Sequence, residues 1–163
     1  MVRIRILPGI RIMLMTMKKY NYFELAEFLK SDTAKKKGID NTPTFEIVER
    51  LGELVEKVLD PLRAAYGMPI TVSSGYRCPA LNKAVQGATT SVHQIGYAAD
   101  LQVSGSFNKF RDFVVDWFRK TGTKFDQILL ESNRKTGAKW IHIGLYNNAG
   151  QQRGQIKVME VNK

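Results

Sequence analysis

The segment at residues 139–146 constrains the fold most, because its side chains alternate with the period of a β-strand. One face is aliphatic and consists of Ile141, Ile143 and Leu145. His142 therefore projects from the opposite face of this predicted strand. A shift of one residue in strand pairing would bury His142 and expose three aliphatic side chains, so its orientation is strongly specified.

Residues 97–103 alternate in the same way and place Asp100 on the face away from the core. Residues 125–131 form a third strand, which the polar loop 132–137 joins to the strand of His142 as an antiparallel hairpin. End signals and helical spacing predict helices at residues 21–30, 43–60, 79–86 and 106–121, and a solvated loop at 31–41. Pro61 is expected to interrupt the second helix, which resumes through Tyr66. These elements predict an α+β domain in which N-terminal helices pack on a small antiparallel sheet.

The chain has 163 residues, which suits one globular core and is short for two. We expect a basic extension at residues 1–19, followed by one domain at residues 20–163. A single cysteine, Cys78, excludes both an intramolecular disulfide framework and a cysteine-rich zinc site. Any metal site must therefore use His, Asp or Glu side chains.

The net charge is +10, and the five basic residues among the first twenty contribute half of it. This charge favours anionic partners, which include nucleic acid, an anionic membrane face and the acidic polymers of a bacterial wall. Arg11 interrupts the apolar stretch of residues 1–17 and no small-residue cleavage site follows, so we expect no signal peptide. No later stretch approaches the ~18 consecutive apolar residues of a membrane span, so we expect a soluble protein whose compartment stays open.

His93 is the only other histidine, and it lies seven residues before Asp100 in a segment rich in small residues. Because Asp100 and His142 both point away from the apolar faces of their strands, the three side chains form a candidate ligand set. Three protein ligands with a fourth position left to water is the arrangement of a catalytic zinc site. Taken alone, however, either histidine is more often a hydrogen-bonded structural residue than a ligand.

A series of short motifs in fixed order strengthens the metal interpretation. The motifs are Ser73-Ser-Gly-Tyr-Arg77, Ser91-x-His93-x-x-Gly96-x-Ala98-x-Asp100, Asp126-Gln127, Glu131 and Trp140-x-His142. Together they resemble the zinc peptidases of peptidoglycan in peptidase family M15, subfamily M15A, the D-alanyl-D-alanine carboxypeptidases and endopeptidases. The resemblance is closest to phage-type members and runs from about residue 22 to residue 146. It implies the hedgehog and DD-peptidase-like zinc peptidase fold.

The resemblance also implies that His93, Asp100 and His142 hold Zn²⁺, whose fourth ligand is the attacking water. Many relatives place the catalytic acid three residues before the last histidine, where this chain has Lys139. Glu131 is therefore the candidate general base, because it ends the strand paired with that of His142. The alternative is that Glu131 is a solvated residue of the hairpin.

Further roles are expected for residues near the candidate ligands. Arg77 stands where the family places an arginine aimed at the substrate carbonyl, and a fixed cation there stabilises the oxyanion; the alternative is an ordinary surface arginine. Ser91 is expected to orient the His93 loop or a substrate amine, since no third histidine could activate it. The substrate-groove candidates are Gln127, Trp140 and Tyr146. For the two aromatic residues, plain packing is an equally open alternative.

These observations predict a zinc metallopeptidase of the D,D-carboxypeptidase or endopeptidase type, which hydrolyses an amide bond in peptidoglycan stem peptides or cross-links. It would lyse or remodel a bacterial wall, for example as a phage endolysin. A second class stays open: a wall-binding module that keeps the fold and zinc but has lost catalysis, as Lys139 permits. No recognised motif supports a third class, nucleic-acid binding, so we expect no nucleic-acid partner. We expect a monomer.

Overall fold

In the computed structural model, which describes residues 19–162, five α-helices accompany a five-stranded sheet. The helices are α1 (Asp32–Lys37), α2 (Phe45–Leu54), α3 (Asp60–Tyr66), α4 (Pro79–Ala84) and α5 (Phe107–Thr121). The strands are β1 (Thr71–Ser74), β2 (Ala98–Gln102), β3 (Gln127–Asn133), β4 (Lys139–Gly144) and β5 (Gln155–Val161). The predicted α+β architecture is confirmed. The predicted basic extension lies outside the described residues, except for Lys19.

The sheet has the strand order β1-β2-β4-β3-β5. β4 lies at its centre and pairs antiparallel with both β2 and β3, and its pairing with β3 is the hairpin that the polar loop predicted. β5 pairs parallel with β3, so the sheet is mixed, and the prediction of an antiparallel sheet was wrong at this edge. Parallel pairing joins segments that are distant in sequence, and local alternation does not encode it.

One face of the sheet packs against the helices and forms the core. The core side chains of the three inner strands are fully buried and include Leu101, Ile128, Ile141 and Ile143. On the helical side, Ser106 caps α5 by accepting a hydrogen bond from a backbone N–H, and Gly122 ends it with a φ of 66°. Because this face is sealed by helices, polar side chains on the opposite face of the same strands are left for a site.

Two predictions near the N-terminus differ from the structure. Residues 31–41 contain α1 instead of a loop, because the Ser31 hydroxyl caps the first turn and Gly38 ends the helix with a φ of 62°. The helix predicted at residues 21–30 is reduced to one 3₁₀ turn, Leu25–Phe28. The cap of this turn is Glu24, which forms a capping box with Glu27, whereas the backbone N–H of Asn21 donates to Asp60.

Pro61 does not break the long helical segment beneath the sheet. A π turn at Val55–Leu59 joins α2 to α3, and Pro61 lies in the first turn of α3. Proline lacks a backbone N–H, and the wider π turn accommodates that loss within a continuous helix.

Candidate metal centre

His93, Asp100 and His142 converge on one point and form what we call the His–Asp–His triad. Asp100 Oδ1 lies 3.1 Å from His93 Nε2 and 3.0 Å from His142 Nδ1, and the two ring nitrogens are 3.1 Å apart. All three side chains are buried. A tetrahedral zinc ion with ligands at about 2.0–2.1 Å separates its ligand atoms by roughly 3.3 Å, so the triad has the size of a zinc site.

Strand register places two members of the triad. Asp100 on β2 lies directly opposite His142 on β4, and residues opposite each other in an antiparallel pair share one face. Their neighbours Ala99 and Ile143 form the next pair and point into the core. The predicted outward orientation of Asp100 and His142 is confirmed by this register.

A short turn brings His93 to the same face. It lies in the 3₁₀ turn Val92–Ile95, which Gly96 ends with a φ of 82° before β2 begins. A Cβ atom at Gly96 would stand 3.0 Å from the carbonyl oxygen of Ile47 in α2, so this close approach and the left-handed backbone both favour glycine. The turn thus holds His93 in place between α2 and β2.

Hydrogen bonding sets the tautomer of His93. Its Nδ1 lies 2.6 Å from the carbonyl oxygen of Gly75, which can only accept, so Nδ1 carries the proton and Nε2 presents a lone pair to the triad. Burial lowers the pKa of His93 and favours the neutral ring. Neutral imidazole is the form that binds metal ions.

The charge state of Asp100 suits a cation as well. Burial by itself raises the pKa of this carboxyl, but the neighbouring imidazole groups of His93 and His142 outweigh it and hold the pKa well below its usual range. The lone pairs of Asp100 Oδ1 and His93 Nε2 then face each other at 3.1 Å, an arrangement that a shared cation stabilises. The donor set of two imidazoles and one carboxylate therefore fits zinc.

Arg77 lies at the edge of the triad. Its Nη2 donates to Asp100 Oδ2 at 2.8 Å and its Nε donates to the Ser74 hydroxyl at 2.9 Å. These contacts fix the carboxylate so that its other oxygen, Oδ1, faces the two histidines. The structure thus places Arg77 beside the ligand set, with 14% of its side chain exposed.

The triad lies in the wall of a cleft of about 780 Å³, which we call the site cleft. One side is formed by the β-sheet face and the other by the loops that precede His93 and follow β4. The residues predicted for the site that line it are Arg77, Ser91, His93, Asp100, Gln127, Glu131, Trp140 and His142. Ser91 begins the His93 turn, where its carbonyl accepts the N–H of Gln94 at 3.1 Å.

Glu131 and Trp140 form a cross-strand pair in the site cleft. They are register partners on β3 and β4, and the Trp140 indole N–H donates to Glu131 Oε2 at 2.6 Å. Leu129, two residues before Glu131, lies opposite His142, so the carboxylate and the imidazole are diagonal neighbours on one face. Trp140, predicted as a groove residue, therefore also holds Glu131.

Lys139, which stands where many relatives place the catalytic acid, points away from the triad. In β4, positions 139 and 142 are three apart, and residues at odd separations in a strand point to opposite faces. Lys139 Nζ accordingly lies 5.9 Å from the ring centroid of Phe107 on the helical side of the sheet. An acid at position 139 of this strand would not face the triad.

Tyr146 is not among the residues of the site cleft, contrary to the groove prediction. Its hydroxyl donates to Glu53 Oε1 at 3.3 Å, and its ring packs edge-on against Tyr97. β4 ends at Gly144, so strand alternation no longer decides the direction of Tyr146. The pattern was extended two residues beyond the strand.

Sequence reasoning missed one charged pair of the site cleft. Asp126 immediately precedes β3 and lines the cleft together with Arg153. Arg153 lies in the loop before β5, the strand that local pattern did not predict. Recognition that residues 155–161 form a strand paired with β3 would have located Arg153 beside Asp126.

A buried His₂Asp set in the wall of an open cleft could hold a metal ion and leave one position for water, as in metal-dependent hydrolases. The chain belongs to the Peptidase M15 family, whose model matches residues 21–143, and this family consists of zinc metallopeptidases. Comparison with curated proteins yields no match. Within residues 19–162, none of the helices has the length and apolar character needed to cross a membrane.

Proposed function

We propose that this chain is a zinc-dependent peptidase that hydrolyses an amide bond in peptidoglycan stem peptides or cross-links. The observation that carries the proposal is the His–Asp–His triad, buried yet open on one side to a cleft that also contains Glu131. Membership of the Peptidase M15 family supports the metallopeptidase chemistry. We further propose that the activity is of the D,D-carboxypeptidase or endopeptidase type and that the protein acts as a phage endolysin.

The roles of the chain's own residues follow from their positions. Zn²⁺ held by His93, Asp100 and His142 would supply Lewis acidity and lower the pKa of water. Glu131 accepts the proton of the attacking water and returns it to the leaving nitrogen, as a general base and then a general acid. Trp140 keeps the carboxylate oriented for both transfers through its indole N–H.

Arg77 is assigned to the carbonyl oxygen of the scissile amide. Its Nε and Nη2 are held by Ser74 and Asp100, and it lines the site cleft. A guanidinium has five N–H donors, so others remain for the oxygen that gains negative charge in the transition state. Because Arg77 is fixed before substrate binds, little reorganisation is required.

Two properties support a wall peptide as the substrate. The site cleft is open and has a volume of about 780 Å³, and Ser91 and Gln127 offer polar groups for a peptide backbone. The net charge of +10 favours approach to the anionic polymers of a bacterial wall.

The test is digestion of purified peptidoglycan by the zinc-loaded protein, with the released termini identified by mass spectrometry. We expect release of peptide termini that stops after chelation and returns with added zinc. Glu131→Gln should abolish release and keep zinc bound. A matched control is Glu160→Gln, since Glu160 pairs with Arg134 on the exposed part of the same sheet.

Zinc-loaded protein that binds peptidoglycan without cutting it would instead establish the lapsed wall-binding module. That alternative rested on Lys139, and position 139 faces away from the triad. The digestion experiment separates the two functions.

A further inference from the structure

Asp126 and Arg153 form an ion pair at the end of the site cleft where β3 begins. Asp126 is 2% exposed, and its carboxylate accepts Arg153 Nε at 2.6 Å and Nη2 at 2.9 Å. The backbone N–H of Arg153 also points to Asp126 Oδ1, at 3.4 Å. A buried carboxylate thus holds the guanidinium from one side and fixes its plane.

The hydrogen bonds to Asp126 leave the other edge of the same guanidinium unused. Of its five N–H donors, the pair with Asp126 uses one on Nε and one on Nη2, which leaves three. The side chain of Arg153 is 41% exposed, and it lines the site cleft. The edge formed by Nη1 and Nη2 has the geometry that binds a second carboxylate through two parallel hydrogen bonds.

Arg77 does not offer the same feature. It is 14% exposed and its Nη2 is bound to Asp100 of the triad. Among the described residues that line the site cleft, Arg77 and Arg153 are the cations. Arg153 is therefore the exposed cation, away from the metal ligands, that an anionic group entering the cleft would meet.

We infer that Arg153 binds a carboxylate of the peptide substrate and so determines which peptides are accepted. This inference rests on the proposed peptidase function and deepens it. Gln127, which follows Asp126, is the register partner of Gly144, two residues beyond His142 on β4. Two strand residues span about 7 Å, so the carboxylate lies within two or three extended residues of the amide bond at the triad.

Two carboxylates of a wall peptide could fill this position: the free C-terminus, or the α-carboxylate of a γ-linked D-glutamyl residue. The probe is the pentapeptide L-alanyl-γ-D-glutamyl-L-lysyl-D-alanyl-D-alanine, together with two forms in which one of these carboxylates is a carboxamide. Binding is measured by calorimetry on zinc-loaded protein carrying Glu131→Gln, so that no cleavage interferes.

We expect one of the two amidated peptides to bind about tenfold or more weakly, because a charge-assisted bidentate contact is lost. That peptide identifies the carboxylate. Arg153→Gln should weaken the parent pentapeptide to the same level and leave the corresponding amide unaffected. Arg153→Lys should recover only part of the lost affinity, since an ammonium keeps the charge but cannot form two parallel hydrogen bonds to a carboxylate.

Arg153→Gln alone leaves Asp126 buried without its partner, so Asp126→Asn with Arg153→Gln provides a second variant that removes both charges. Arg134→Gln is the matched surface control, and it should bind like the parent protein. Thermal unfolding of every variant separates loss of fold from loss of recognition.

Equal binding of all three peptides, failure of the pentapeptide to bind, or unchanged discrimination in the double variant would each overturn the inference. Failure of the proposed function is a different result, namely no zinc-dependent release of termini from peptidoglycan. Carboxylate discrimination that depends on Arg153 would then still establish Arg153 as a peptide-binding residue.

Discussion

Asp100 and His142 face each other across β2 and β4, with Oδ1 and Nδ1 3.0 Å apart. The pair lies at the centre of the sheet, where both strands are paired on both sides. Two of the three proposed zinc ligands are therefore held by the most constrained part of the fold. A site held in this way is preorganised for a metal ion, because binding requires little movement of backbone.

Replacing Asp100 tests the ligand set. Asp100→Asn removes the anionic ligand and leaves Arg77 without its carboxylate partner. We expect zinc content to fall from about one ion per chain to near zero, together with loss of peptidoglycan hydrolysis. Elemental analysis after dialysis measures the metal. Asp116→Asn, which removes a surface carboxylate paired with Lys120, should leave zinc content unchanged.

Removal of zinc should destabilise the fold. An ion bound at 1,000 times its Kd stabilises the native state by ~4 kcal/mol, which corresponds to a rise in Tm of roughly 8–16 °C for a chain of this size. Differential scanning calorimetry with and without chelator measures the shift. In Asp100→Asn the two curves should coincide; an equal shift in that variant would place the stabilising zinc elsewhere.

Trp140 should act as a positioning residue for Glu131. Trp140→Phe keeps an aromatic ring and removes the N–H that Glu131 accepts at 2.6 Å. We expect kcat to fall about tenfold, with KM and zinc content little changed, because the base loses its orientation while the cleft keeps its shape. Trp117→Phe is the control, since Trp117 packs against Phe118 on α5. Unaltered kcat in Trp140→Phe would argue against this role.

Gly75 should be intolerant of a side chain. A Cβ atom there would lie 2.3 Å from the carbonyl oxygen of Phe28, and the carbonyl of Gly75 itself orients His93. Gly75→Ala should cost ~1–3 kcal/mol of stability and weaken zinc binding. Denaturant unfolding and zinc titration measure both effects. Gly105→Ala, where nothing lies within 4 Å, should be close to neutral.

Glu53 should contribute to acid sensitivity. Burial favours its protonated form, but hydrogen bonds from Lys57 and Tyr97, the charge of Lys57 and a bond from Tyr146 hold the pKa of Glu53 below its ordinary value. A carboxyl with a lowered pKa stabilises the fold above its unfolded pKa, and that contribution is lost as pH falls through the folded value.

The Tm of Glu53→Gln should therefore fall less steeply than that of the parent protein between neutral pH and pH ~3, measured in the apo protein. Glu49→Gln provides an exposed control on the same helix. If the Tm of Glu53→Gln and that of the parent protein fall equally with pH, Glu53 does not contribute to acid sensitivity.

Where one face of an element is apolar, the local sequence pattern was sufficient to predict the direction of its side chains. The alternation in β2 and β4 oriented Asp100 and His142 correctly, and Ser106 and Gly122 correctly marked the ends of α5. These features depend on neighbours a few residues apart, and the period of a strand or helix carries that information. Where β4 ends, the same pattern failed for Tyr146.

Only the tertiary structure decided which side chains from distant segments come together in the site cleft. The 3.1 Å contact between His93 and His142 joins residues 49 apart, and the parallel pairing of β5 brings Arg153 to Asp126. By itself the sequence determined the direction in which the candidate ligands point, because side-chain direction follows the local backbone period. Their distances, the partner of Glu131 and the open edge of Arg153 depend on strand pairing between distant segments, which no local period specifies.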